Sequence, residues 1–178
     1  MRAITSGTER GRRDFRFLAG AVAAAILSGC AGTADYEYRF VPGRTAFPQN
    51  GVAIAPLGAP PQVQAMIEAG NQIAGLPYRR GGGHGRAYDA AYDCSGALSH
   101  LLRAGGVLRG SMPSAGFRRY GAAGEGDWVS VYARQGHVFA VVAGLRFDTG
   151  YGNGQRGPQW TTRSRPAKGY VIRHPAGL

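Results

Sequence analysis

Tyr92-Asp93-Cys94-Ser95-Gly96-Ala97-Leu98-Ser99-His100-Leu101-Leu102 is the stretch on which the fold turns, because two patterns overlap in it. Ala97, Leu98, Leu101 and Leu102 form one stripe of a 3.6-residue period, which predicts an amphipathic helix ended by Gly105-Gly106. Asp93 is a favoured N-cap residue, so Cys94 falls in the first helical turn. There the backbone N–H groups and the helix dipole favour a thiolate, the nucleophilic form of cysteine. An ordinary buried cysteine on an apolar helix fits the same residues equally well. The segment alone leaves both readings open.

Upstream, Val63, Met66, Ile67 and Ile73 keep helical spacing between Pro60-Pro61 and Gly75-Leu76-Pro77, predicting a helix over about 62–74. The glycine-rich run Arg79 to Arg86 follows. It lacks the G-x-x-x-x-G-K-[ST] pattern of a phosphate-cradling loop. From Asp127 onward the pattern changes to short β-rich runs, at Trp128 to Tyr132, His137 to Val142, Leu145 to Asp148 and Tyr170 to Arg173. Helices first and strands after predict an α+β domain with its helices packed on an antiparallel sheet.

His137 opens one of those strands. A histidine within reach of Cys94 would take its proton and return it to a leaving amine. The plainer alternative, a surface histidine at a strand entry, is by itself the commoner case. Asp148 ends the next strand, where a carboxylate would hold the imidazole in one tautomer. Strand register decides whether it does. If Ala143-Gly144 are the central residues of a hairpin turn, Leu145 pairs with Val142 and Asp148 lies opposite Phe139. Asp148 is then diagonal to His137 on the same face, about 7 to 8 Å away between backbones. A slip of one residue would send the two side chains to opposite faces.

Four segments together resemble the NlpC-type cysteine peptidases of bacterial cell walls, a papain-like family. Leu76-Pro77-Tyr78 with Gly81-Gly82 is similar to its P-Y-x-x-G-G segment. Tyr92-Asp93-Cys94-Ser95-Gly96 resembles its D-C-S-G nucleophile motif, Gly126-Asp127-Trp128-Val129 its G-D-hydrophobic strand, and Gly136-His137-Val138 its catalytic-histidine strand. The match runs over about residues 62–150. The resemblance implies that Cys94 is the nucleophile and His137 the base, with Asp148 from the register argument in the place of the third residue. It implies that Tyr78 lies beside the thiolate, orienting substrate or oxyanion, and makes the Cys94 N–H a candidate oxyanion donor. The implied reaction is hydrolysis of an amide in the stem peptides of peptidoglycan or in their cross-links.

Three departures stand out. Phe139 occupies a position where the family has a small residue, and is expected to narrow the cleft. Asp148 stands eleven residues after His137, where the family often has His, Asn or Gln about twelve on. The insert Gly83 to Tyr92 is long and carries His84, expected to be a surface loop residue.

The front of the chain carries an address. Arg2, Arg10, Arg12, Arg13 and Arg16 precede an uncharged apolar run from Phe17 that ends in Leu27-Ser28-Gly29-Cys30. The run is too short for a lasting membrane span and suits a signal peptide over 1–29. L-S-G-C resembles a bacterial lipobox, which makes Cys30 the lipid acceptor and removes it from a disulfide with Cys94. Arg12-Arg13 leaves both general and twin-arginine export open. Ala31 after the lipidated cysteine favours the outer membrane in a cell that has one. Residues 30–61, with five prolines and no sustained period, are expected to form a flexible tether, and 62–178 the enzyme domain.

The net charge is +11, and from Cys30 onward 16 basic residues face 8 acidic ones. Such a balance suits anionic polymers or lipid headgroups. No nucleic-acid-binding signature accompanies it, so nucleic acid is not an expected partner. His84, His100, His137 and His174 show no ligand spacing and no C-x-x-C exists, so no metal or cofactor is expected. The tail after Tyr151 resembles a basic loop, in which Trp160 either packs on the core or stacks on a sugar ring. A monomer is expected. Two other functions are carried beside the peptidase: a non-catalytic peptidoglycan-binding lipoprotein with its cleft blocked by Phe139, and an acyltransferase using the same Cys-His chemistry on lipids.

Overall fold

Ala143 and Gly144 both adopt positive φ, 46° and 74°, and this two-residue turn sets the register of the central hairpin. Its arms are β5 (His137–Val142) and β6 (Leu145–Asp148), paired Val142↔Leu145, Val141↔Arg146 and Ala140↔Phe147. One step further, Asp148 falls opposite Phe139, the register the sequence required. Ala143 tolerates its left-handed backbone because both its polar groups are held. Its N–H donates to Trp128 O at 2.7 Å and its carbonyl accepts from Ala46 N at 2.8 Å.

The computed structural model describes Met1 and residues 35–85, 88–150 and 157–178. The chain divides into two units, Met1–Cys30 and Ala31–Leu178, and every element named here belongs to the second. Residues 2–29 of the expected signal peptide and Cys30, the expected lipid acceptor, lie outside the described residues. Among the described residues no helix is long and apolar enough to cross a membrane.

The architecture is α+β. In chain order the elements are β1 (Phe47–Gln49), β2 (Val52–Ile54), α1 (Pro61–Ile73), α2 (Cys94–Ala104), α3 (Ser114–Phe117), β3 (Ala122–Ala123), β4 (Val129–Arg134), β5, β6, β7 (Gln159–Thr161) and β8 (Val171–His174). The last six strands form one antiparallel sheet in the order β3-β8-β4-β5-β6-β7.

Both faces of the sheet are covered. On one, Val129, Val131, Val138, Ala140, Val142, Leu145 and Phe147 meet the apolar stripes of α1 and α2 in the main core. Burial of a leucine such as Leu101 there contributes about 2 kcal/mol. Glycines let the helices close up. A Cβ on Gly105 would stand 2.3 Å from Met66, and one on Gly70 of α1 would stand 2.5 Å from Trp160. Trp160 is therefore a core residue on β7, against Phe147 at 4.6 Å between centroids. The tail expected as a basic loop contributes one strand, β7, to the sheet, and the run expected as a strand at Tyr170 to Arg173 supplies β8. On the opposite face Tyr132, Phe139, Ala167 and Tyr170 make a smaller cluster.

The expectation of a free tether over 30–61 is corrected from Asp35 onward. Tyr36 is buried and its backbone pairs with Arg165 in both directions, at 2.9 and 3.0 Å. Its hydroxyl donates to Gly144 O and accepts from Arg146 N. Thr45, Ala46, Ala53 and Ala59 are also buried. Asn71 of α1 exchanges two hydrogen bonds with the backbone of Ala53, at 2.8 and 2.9 Å, and so docks the β1-β2 hairpin on the helix. Proline richness was misleading because the buried apolar residues here, Tyr36, Ala46, Ala53 and Ala59, are few and unevenly spaced, which leaves no periodic signature.

Candidate active site

Helix α2 starts at Cys94. The Asp93 side chain caps it by accepting from Gly96 N at 2.7 Å. The same carboxylate accepts from Ser95 Oγ at 3.0 Å and from Gly81 N at 2.8 Å, and His84 Nε2 lies 3.1 Å away. Burial alone would raise the Asp93 pKa. The donors from Gly96, Gly81 and Ser95, with His84 nearby, outweigh it and hold the carboxyl below its ordinary value. The capped turn is thus fastened to the glycine-rich segment, and only glycine fits the contact. A Cβ on Gly96 would meet Gly82 O at 2.0 Å, and one on Gly83 would meet the Tyr92 ring at 2.1 Å.

His84 is corrected by this arrangement. It is half-buried and bridges Asp93 and Ser95, at 3.1 and 3.2 Å, instead of standing free on a surface loop. The sequence signal was weak, a lone histidine among glycines.

Cys94 is a free, half-buried cysteine at the floor of a cleft of about 560 Å3. Tyr78, Arg80, His84, Ser114 and Gly136 line the cleft with it. Tyr78 is brought there by a parallel bridge to Tyr92, two residues before the cysteine. Gly136 belongs to the Gln135-Gly136 turn between β4 and β5, which delivers His137 at the head of β5.

The Nε2 of His137 is 2.9 Å from Asp148 Oδ1, and Cys94 is near enough to help raise the imidazole pKa. Nε2 is thus engaged by the carboxylate, and Nδ1 is the other ring nitrogen. Burial lowers the His137 pKa, but the hydrogen bonds and charges of Asp148 and Cys94 outweigh burial, and the net shift is upward. Of the four residues singled out in the sequence, Cys94 and Tyr78 line the cleft, while His137 and Asp148 pair with each other next to Gly136 of its lining.

Phe139 does not narrow that cleft. It is 1% exposed, stacked on Tyr132 at 4.6 Å and edge-on to Tyr170 at 5.2 Å, on the sheet face away from the helices. The residue serves packing beneath the site.

Two residues near Asp148 escaped the sequence reading. Arg165 donates from Nη1 to Asp148 Oδ2 at 2.8 Å, and Arg146 Nε lies 3.7 Å from the same oxygen. Arg146 is 1% exposed and burial lowers its pKa. Its signal was available: Arg146 and Asp148 sit two apart on a strand, hence on one face. Arg165 lies 17 residues from Asp148, with no local pattern to mark it. Among the described residues no three His, Cys, Asp or Glu side chains converge as a metal site would need. Comparisons with known protein families, curated proteins and solved structures returned no match to the chain.

Proposed function

We propose that the chain is an exported, lipid-anchored cysteine peptidase of papain-like, NlpC-type fold that hydrolyses an amide in peptidoglycan stem peptides or their cross-links. One arrangement carries the reading: a cysteine heads a capped helix, and the imidazole whose pKa it helps to raise is held through Nε2, at 2.9 Å, by a buried carboxylate. That is the arrangement a nucleophile, a base and an orienting group require.

In the proposed reaction Cys94 Sγ attacks the scissile carbonyl while His137 Nδ1 takes the thiol proton. The oxyanion forms near the first-turn N–H of Cys94, with Tyr78 beside it. His137 returns the proton to the leaving amine as the C–N bond breaks, which leaves a thioester on Cys94. Water, deprotonated by His137, hydrolyses the thioester and frees the thiol. Asp148 keeps the ring oriented and supports its positive charge throughout.

The cleft lining, with Arg80, His84, Tyr78 and Ser114, suits a polar peptide better than a lipid acyl chain. The placement of Phe139 in the small core removes the reason for regarding the cleft as blocked. The lipobox at Cys30 and the positive balance of the chain support anchoring close to an anionic wall polymer.

The test incubates the full chain in detergent, alongside Cys94→Ala, with purified peptidoglycan and defined stem peptides, with products identified by mass spectrometry. New peptide fragments from the wild type alone are expected. No fragment, together with a Cys94 inert to alkylation at neutral pH, would replace the peptidase by a peptidoglycan-binding lipoprotein.

A further inference from the structure

We propose that Arg165, clamped by the segment Asp35–Tyr36, is a positioning residue that holds Asp148 in line with His137. The inference rests on the catalytic reading of Cys94, His137 and Asp148, but it concerns residues outside the motifs that suggested that reading.

The Asp148 side chain has no solvent exposure, and its two oxygens have separate partners. Oδ1 accepts from Gly150 N at 2.9 Å and faces His137 Nε2 at 2.9 Å. Oδ2 accepts from Arg165 Nη1 at 2.8 Å. A carboxylate held at one oxygen can still turn about its Cβ–Cγ bond. Held at both, its plane is set, and Oδ1 points at the imidazole.

There is a competing donor. Arg146 Nε is buried without a hydrogen-bond partner and lies 3.7 Å from Oδ2. An unpaired buried donor of this kind attracts any carboxylate that can reach it. Without Arg165, Asp148 would turn toward Arg146 and give up its alignment with His137. Arg165 thus decides which of two cations Asp148 serves.

Arg165 is itself anchored from several sides. Nη1 also donates to Gly150 O, Nη2 donates to Tyr170 Oη at 3.0 Å, and the guanidinium lies 5.2 Å from the Phe139 ring centroid. Its backbone N–H and carbonyl both pair with Tyr36, and Asp35 Oδ1 accepts from Ala167 N at 2.9 Å. This use of several donors in one plane suits guanidinium and not ammonium. The chain of contacts runs from the N-terminal strap through Arg165 and Asp148 to His137. It gives Phe139 a purpose, as a wall of the guanidinium's seat.

The experiment measures alkylation of Cys94 by iodoacetamide across pH in the full chain, followed on the Cys94 peptide by mass spectrometry. Arg165→Met, Asp148→Asn and the double variant are compared with wild type. Arg165→Met is expected to slow alkylation at pH 6 about ten-fold and to shift the pH profile onto that of Asp148→Asn. The double variant is expected to be no slower than Asp148→Asn alone, because Arg165 acts through Asp148. A wild-type profile for Arg165→Met, or losses that multiply in the double variant, would overturn the proposal. Should Arg165→Met fail to fold, Tyr170→Phe and Arg165→Lys carry the test. Each keeps a positive charge beside Asp148 while weakening its seat, and a slowing of about two- to three-fold is expected; unchanged profiles in both would overturn the proposal. No peptidoglycan is needed, so a chain that shows these shifts yet cuts no stem peptide loses the peptidase reading alone.

Discussion

The two walls of the site are built differently. The cysteine wall is local: Asp93, Ser95, Gly96 and the segment Gly81–His84 are all within fifteen residues of Cys94, and backbone groups make the critical contacts. The histidine wall is assembled from distant segments. Asp148 is 11 residues from His137, Arg165 is 17 from Asp148, and Asp35 is 132 from Ala167, with charged side chains making the contacts around a fully buried Asp148. Local contacts with a glycine spine tolerate no added bulk. Remote contacts among buried charges tolerate no loss of a partner.

The largest effect is expected at the remote wall. On the proposed peptidase reading, Asp148→Asn should lower peptide cleavage about 10⁴-fold, since the imidazole loses the group that fixes its tautomer. It should also destabilise the fold by about 3 kcal/mol, because Arg146 and Arg165 are left buried with a neutral partner. Chemical denaturation and kcat measure the two losses, and a stable Asp148→Asn chain would show that the charges there are not a closed unit.

Gly96→Ala probes the local wall. The added methyl would stand 2.0 Å from Gly82 O, which is backbone and has little room to yield. A loss of about 2 kcal/mol in urea unfolding is expected, with the alkylation rate of Cys94 disturbed as the turn shifts. Unchanged stability would mean that the glycine segment gives way easily.

Asp93→Ala should cost about 1 kcal/mol, the usual worth of an N-cap, and it leaves His84 and Gly81 N without their acceptor. The same unfolding curves report it. A cost as large as that of Asp148→Asn would erase the contrast between the walls.

The smallest effect is a pH slope. The folded-state pKa of His137 is raised, so its stabilising contribution is fully present below the ordinary histidine value, about 6.5. It is lost as pH rises through the raised value. His100 has the opposite sense. Burial, helped by Arg103, lowers its pKa, so stability falls as pH drops from about 6.5 through the lowered value. Urea midpoints measured from pH 5 to 9 should therefore fall at both ends. His137→Gln should flatten the alkaline limb and His100→Gln the acidic one.

Much of this was legible beforehand. The stripe of α2, its Asp93 cap and the Ala143-Gly144 turn are short-range features, and each is set by backbone geometry that a few neighbouring residues specify. From the turn alone the register followed, and with it the placement of Asp148 diagonal to His137. The α+β order of elements was likewise visible as a change of period from helices to strands.

The sequence by itself determined the helix headed by Cys94, the hairpin that carries His137 and Asp148, and their common face. Only the tertiary structure decided that Asp35–Tyr36 straps the domain, that Phe139 lies beneath the site, and that Arg146 and Arg165 share Asp148. The reason is range. A capped helix or a two-residue turn is specified by neighbours along the chain, whereas a buried charge chooses its partner among whatever segments folding brings within a few ångströms.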